Sequence, residues 1–214
     1  GSNFHGLLKR NSKVKSLTVD DDGFERLVLW SGRTAEAVNL IFDEIVKRPL
    51  DVEFIALLQN SQIQTPDANS SRGYGIFHQD QENNFAACIT KNVNDNFDGT
   101  RRPIAFIFTG MGSQWLGMGR DLMKIPIFAE TIQELHEVLM LKANGFDLMS
   151  LICSDDPEKF SNVTKILTSI VAIEIGLVNI LKALEITPDH IVGHSLGETA
   201  CAYADRSFTA EQAI

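Results

Sequence analysis

With 214 residues, 44% of them hydrophobic, the chain is long enough to bury one sizeable core or two small ones. Its formal net charge of −9, with basic pairs only at Lys9-Arg10 and Arg101-Arg102, gives nucleic-acid binding no electrostatic support; those pairs read as solvated loop charges. Cys88, Cys153 and Cys201 lie far apart, without a C-x-x-C motif or an even framework, so a reduced, cytoplasmic setting with no metal site is expected.

Along the chain, two polar stretches act as breaks: residues 60–72, rich in breakers, and residues 92–102, rich in Asn and Asp around Gly99. Before the second break, Leu27-Val28-Leu29-Trp30 predicts a strand, followed by a helix with Ser31 as N-cap. Val38, Ile41, Phe42, Ile45 and Val46 then recur at helical spacing, and Lys47-Arg48-Pro49 closes the helix. Asp51 is placed to cap a second helix carrying Phe54, Ile55, Leu57 and Leu58. Extended runs follow at Tyr74–His78 and Phe85–Thr90. The result is a small α+β module with nothing catalytic in it.

After the second break the pattern changes. Residues 103–108 (PIAFIF) form a nearly continuous apolar run, the signature of a parallel strand buried on both faces. A Gly-rich turn, Thr109-Gly110-Met111-Gly112, follows it. Helices are predicted over Gly119–Lys124 and from Pro126 toward Lys142, and a long one over Phe160–Glu185. His190-Ile191-Val192 reads as a short buried strand and Glu198–Ala204 as a helix. Strand–turn–helices–strand–turn–helix is the rhythm of an α/β fold with a parallel sheet. No uninterrupted apolar stretch approaches the ~18 residues of a spanning helix, and no signal peptide is visible, so no membrane role is expected.

Gly193-His194-Ser195-Leu196-Gly197 fits a nucleophile elbow: small residues two before and two after a serine permit the sharp strand-to-helix turn that lifts its hydroxyl clear of the backbone. The bland alternative is a Gly-rich β-turn with a structural serine, and the flanking strand and helix favour the elbow. The 109–112 turn could aim backbone N–H groups at a developing oxyanion, although glycine turns after strands are common. Ser113 and Gln114 could line the pocket or cap a following helix. Glu198 reads as a favourable charge at a helix start, and Cys201 as a small core residue. Among the histidines, His194 neighbours the serine but points away at a tight elbow; His136 reads as a solvated surface residue, and His190 as facing a loop.

The stretches FIFTGMGSQWLGMGRDLM and IVGHSLGE, in that order, resemble the malonyl/acetyltransferase domain of animal-type, insect-like fatty acid synthases and related polyketide synthases; the likeness runs from Arg101 to Ile214. WSGRTAEAVNLI and SRGYGIF are similar to the linker between ketosynthase and acyltransferase, and Gly1-Ser2-Asn3-Phe4-His5 resembles the last ketosynthase strand. The resemblance implies residues 1–16 as ketosynthase tail, 17–100 as α+β linker domain and 101–214 as the N-terminal part of a partial α/β hydrolase-like acyltransferase core.

It further implies Ser195 as the nucleophile that accepts an acyl group from coenzyme A, with the Leu196 and Met111 backbone N–H groups as oxyanion donors. Gly193, Gly197, Gly110 and Gly112 would be the elbow and turn glycines, and Gln114 and His194 pocket candidates. Malonyl-CoA or acetyl-CoA and the phosphopantetheine of an acyl carrier domain would be substrates, and no bound cofactor is implied. A ketosynthase domain of the same polypeptide, and a homodimeric parent, would be partners. The family's histidine base and carboxylate-binding arginine lie downstream of Ile214 in this pattern. The fragment alone is therefore expected to lack multi-turnover activity and to expose apolar surface. A polyketide synthase fragment, a serine hydrolase without CoA preference and a non-catalytic interaction fragment remain as alternatives.

Overall fold

A computed structural model of the chain describes Gly6 and residues 24–62 and 70–214. The 1–16 stretch read as a ketosynthase tail, with its Gly1–His5 motif, lies outside the described residues apart from Gly6. The chain divides into two compact units, Gly1–Arg101 and Arg102–Ile214.

In the first unit, strand β1 (Arg26–Gly32) is followed by helices α1 (Ala35–Ile45) and α2 (Val52–Ser61) and by strands β2 (Ser71–Gln79) and β3 (Ala86–Asn94). The strands form an antiparallel sheet in the order β1-β2-β3, with Leu29 opposite Tyr74 and Tyr74 opposite Asn92. Helix α1 buries Val38, Phe42 and Ile45, the i, i+4, i+7 stripe of its apolar face, against Val28 and Phe77 of the sheet. Asp51 caps α2, its Oδ1 accepting from the Phe54 N–H at 3.1 Å. The α1 cap, however, is Thr34, whose hydroxyl accepts from the Ala37 N–H. Ser31 ends up inside β1 because a distant partner claims it: Gln62 Oε1 accepts from both its N–H and its hydroxyl, at 2.9 and 2.6 Å.

The second unit runs β4 (Ala105–Phe108), α3 (Pro126–Lys142), α4 (Leu148–Ile152), α5 (Val163–Ala183), β5 (His190–Gly193), α6 (Gly197–Ala204) and α7 (Ala210–Ala213), with short 3-10 turns at Leu122–Lys124 and Pro157–Phe160. The helix expected over Gly119–Lys124 reduces to the first of these turns. Pro126 opens α3 at a position where its missing N–H costs no helical hydrogen bond. Phe128, Ile132 and Leu135 of α3 interlock with Val171, Ala172 and Ile175 of α5 and with Leu148 and Ile152 of α4. Helix α5 buries every residue from Ser169 to Gly176, so it is a central helix rather than an amphipathic surface one. By length and composition alone it could also cross a membrane, contrary to the expectation drawn from uninterrupted runs; here it packs against α3, α4 and α6.

Strands β4 and β5 pair in parallel, from Ala105 opposite His190 to Phe108 opposite Gly193. Phe106, Phe108 and Ile191 face Val178 and Ala200 on the covered side. The expected burial of this strand on both faces is corrected by Ile107, 75% exposed, and its cross-strand neighbour Val192, 57% exposed. Among the described residues β4 has one strand neighbour and one helical layer, and its alternating residues follow that one-sided cover.

Gly176 tests the α3–α5 packing. Alanine normally gains about 1 kcal/mol over glycine within a helix. A methyl group here would lie 2.4 Å from Phe128 Cε2, and Phe128 is fully buried with nowhere to retreat. Overpacking costs about 1–3 kcal/mol, so Gly176→Ala is expected to lower the thermal unfolding midpoint. A midpoint at or above that of the parent would show that the packing yields.

Candidate active site

The site grows from the C-terminal ends of the two parallel strands. Where β5 stops at Gly193, the His194 N–H donates to the Phe108 carbonyl at 3.0 Å and extends the strand pairing by one bond. Ser195 then turns the chain with φ of +55°, a left-handed conformation that costs a non-glycine residue about 1–2 kcal/mol. Three successive bonds start the helix at once: Gly197 N–H to His194 O, Glu198 N–H to Ser195 O and Thr199 N–H to Leu196 O.

The glycines at either end are required by close approach. A methyl group at Gly193 would meet the Glu198 nitrogen at 2.6 Å, and one at Gly197 the Phe108 carbonyl oxygen at 2.5 Å. Both obstacles are backbone. Ser195 and His194 are exposed, and among the described residues the Ser195 hydroxyl makes no hydrogen bond. This is the sharp, strained turn that a nucleophile elbow demands.

The Gly-rich turn after β4 lies directly against it. A methyl group on Gly110 would come to 2.9 Å from the His194 carbonyl oxygen and 3.2 Å from Ser195 Cβ. Gly112 has φ of +108°, which only glycine adopts readily. The turn is tied from within: Ser113 Oγ donates to the Gly110 carbonyl at 3.0 Å, and the Gly112 N–H donates to Gln114 Oε1 at 2.8 Å. Ser113 and Gln114 therefore hold the turn instead of capping a following helix. The Met111 side chain is 60% exposed. Among the described residues neither the Met111 nor the Leu196 N–H donates a hydrogen bond, so both amides remain open to a ligand oxygen.

Of the histidines, His194 alone among the described residues borders this turn, its Nδ1 3.2 Å from where a Gly110 methyl group would lie. No hydrogen bond joins His194 to the Ser195 hydroxyl. His190 is the first residue of β5, exposed and paired with Ala105, so it belongs to the strand and not to the loop before it. His136 is not a solvated surface residue: its side chain is half-buried, with Nδ1 3.8 Å from Asp147 Oδ1. His78 is exposed on β2, and His5 is outside the described residues. Glu198 sits exposed in the first turn of α6. Cys201 backs onto Gly193, and burial pushes its thiol above the usual range. No group of three or more His, Cys, Asp or Glu side chains forms a metal-ligand cluster among the described residues.

Sequence reasoning passed over Glu174. It is 8% exposed, in the middle of α5, and its Oε1 accepts from both the N–H and the hydroxyl of Thr109, at 2.7 and 3.0 Å. Burial pushes this carboxyl above the usual carboxylate range, and the two Thr109 bonds only partly oppose that. The available signal was one carboxylate inside the apolar run IVAIEIGL.

A parallel-strand pair with an elbow serine and a facing Gly-rich turn, backed by packed helices, defines a partial α/β acyltransferase core. The chain belongs to the acyl transferase domain family, which matches residues 105–214; residues 1–76 match the ketoacyl-synthetase C-terminal extension. It is 39% identical over 102 residues to the highly reducing polyketide synthase otaA of Aspergillus niger (48% of this chain, 4% of that protein). It is 37% identical over 139 residues to the non-reducing polyketide synthase atnG of Arthrinium sp (64% of this chain, 7% of that protein). The chain thus spans a small fraction of the curated relatives it matches. The acyl transferase domain of ZmaA shares the fold, with a TM-score of 0.63 at 19% identity, covering 88% of this chain and 46% of that one. These relatives are polyketide synthases and support the polyketide alternative better than an animal-type fatty acid synthase.

The strain at Ser195 gives a stability test that is independent of chemistry. Glycine relieves the positive φ, whereas alanine retains it, and glycine's greater freedom in the unfolded chain offsets part of the gain. Ser195→Gly is expected to be more stable than Ser195→Ala, by up to about 1 kcal/mol in denaturant unfolding. The reverse order would mean that the elbow is relaxed in solution.

Proposed function

We propose that Ser195 takes a malonyl or related short acyl group from coenzyme A and passes it to the phosphopantetheine thiol of an acyl carrier domain within a polyketide synthase. The observation carrying this reading is the contact of the Gly110 turn with the Ser195 elbow, which brings two unengaged amides, Met111 and Leu196, to the same end of the sheet as the nucleophile. In the first step Ser195 Oγ attacks the thioester carbonyl, its proton passes by way of solvent to the sulfur that departs, and the carbonyl oxygen that becomes negative accepts from the two amides. Collapse breaks the carbon–sulfur bond, releases coenzyme A as its thiol and leaves an ester on Ser195. The carrier thiol then attacks that ester and restores the serine hydroxyl.

The reading assigns no described histidine as base, and it treats the Met111 side chain as incidental because the backbone amide does the work. The match of residues 1–76 to a ketosynthase extension supports a ketosynthase domain ahead of this one in the same polypeptide. A cytoplasmic, homodimeric parent belongs to the same proposal and rests on the family resemblance.

Incubation with malonyl-CoA, followed by intact mass and peptide mapping, is expected to place one malonyl ester on Ser195 and none on Ser195→Ala. Met111→Pro, which deletes the amide hydrogen, is expected to slow acylation about 10²–10³-fold, while Met111→Leu stays within a few-fold of the parent. Release of free coenzyme A with transfer only to water, and no transfer to a carrier domain, would instead identify a hydrolase. Acylation of Ser195→Ala would remove the serine from the reaction.

A further inference from the structure

We infer that Glu174 is a positioning residue for the oxyanion turn, its buried carboxyl group holding Thr109 so that the Met111 amide stays aimed at the acyl adduct of Ser195. The inference rests on the function proposed above and names the side chain that sets its geometry.

The links are continuous. Glu174 Oε1 accepts from the Thr109 N–H at 2.7 Å and from the Thr109 hydroxyl at 3.0 Å. The Thr109 hydroxyl, its own hydrogen given to Glu174, lies 2.9 Å from the Ser113 hydroxyl, whose single hydrogen is shared between Thr109 Oγ1 and the Gly110 carbonyl at 3.0 Å. Gly110 in turn abuts His194 and Ser195. One carboxyl oxygen in the core thus fixes the residue two before Met111, and the same network closes the turn on the far side of it.

The other carboxyl oxygen argues that this arrangement is not ordinary core packing. Oε2 of Glu174 is buried and has no hydrogen-bond partner among the described residues. Leaving a polar atom in that state costs stability, and a leucine at this place in an apolar helix would avoid the cost. The carboxyl group is retained where its acceptor atom meets the turn. Burial also favours its protonated form. Glutamine offers a carbonyl acceptor at the same place, alanine none.

The test is single-turnover acylation of the full chain by p-nitrophenyl acetate, whose leaving group needs no proton. It is followed by nitrophenolate release, with mass mapping to Ser195, over a range of ester concentrations. Glu174→Ala is expected to lower the limiting acylation rate about tenfold or more without changing the half-saturating ester concentration, a fraction of what loss of a whole oxyanion donor costs. Glu174→Gln is expected to recover most of that loss. If Glu174→Ala does not fold, Glu174→Leu supplies the test, since it removes the acceptor of both Thr109 bonds and suits the apolar helix; the same drop is expected. Equal rates in the parent and the alanine variant, or in Glu174→Leu where that is the variant used, would overturn the role of Glu174 alone. So would alanine and glutamine variants that lose rate equally and in step with their melting temperatures. Failure of the parent to acylate at Ser195 would overturn the proposed function, and this inference with it.

Discussion

The second unit depends on the parallel register of β4 and β5, which sets Phe108 beside Gly193. From that pairing the Phe108 carbonyl accepts the His194 N–H, and the Gly197 backbone is pressed against the same carbonyl. The elbow is thus clamped to the strand that launches the Gly-rich turn. A slip of one residue would exchange the two faces of β5 and carry the serine away from the turn. The placement of the elbow against the turn and the sheet register are, in this fold, the same constraint.

Around that constraint the molecule accepts several locally unfavourable features, and they lie close together. Ser195 is left-handed, Gly112 is held at positive φ, and Glu174 keeps one oxygen buried and unpartnered. The left-handed Ser195 and the unpartnered Glu174 oxygen each cost stability, while Gly112 adopts its conformation freely. His136 Nδ1 is likewise buried without a hydrogen bond, while another polar chain in the unit is fully paired: the Tyr203 hydroxyl donates to Asn179, whose amide donates to Thr131, which donates to the Ile127 carbonyl. Left-handed residues also occur in this unit at Asn144, Glu185 and Arg206, each just past the end of a helix, whereas Ser195 takes that conformation between a strand and a helix.

How much of this was legible in the chain depended on how far apart the partners are. The elbow and its facing turn could be read because their requirements are local, with glycines two residues either side of a serine and a Gly-x-Gly after an apolar run. Asp51 was readable as a cap for the same reason, its acceptor serving an amide three residues on. Ser31 was not, because its hydroxyl is claimed by Gln62, 31 residues away, and Thr34 takes over the cap. Glu174 was invisible because its partner Thr109 lies 65 positions earlier, and a lone acid in an apolar helix carries no periodic signature. The exposure of Ile107 was also missed: a continuous apolar run states what a strand could bury, while its neighbours decide how much it does bury.

Thr109 shows why the buried acid and the surface turn should be considered together. Its side chain is exposed, yet its amide and hydroxyl both reach inward to Glu174, so it bridges the packed helix α5 and a loop that would otherwise be held only by its own hydrogen bonds. A loop tied only to itself can shift as a body relative to the elbow, and an oxyanion donor misplaced by a fraction of an ångström loses much of its effect. Anchoring the first residue of the turn to the most buried helix of the unit removes that freedom. Helix α5 thereby sets where the first residue of the turn, and with it the backbone beside the elbow, is held.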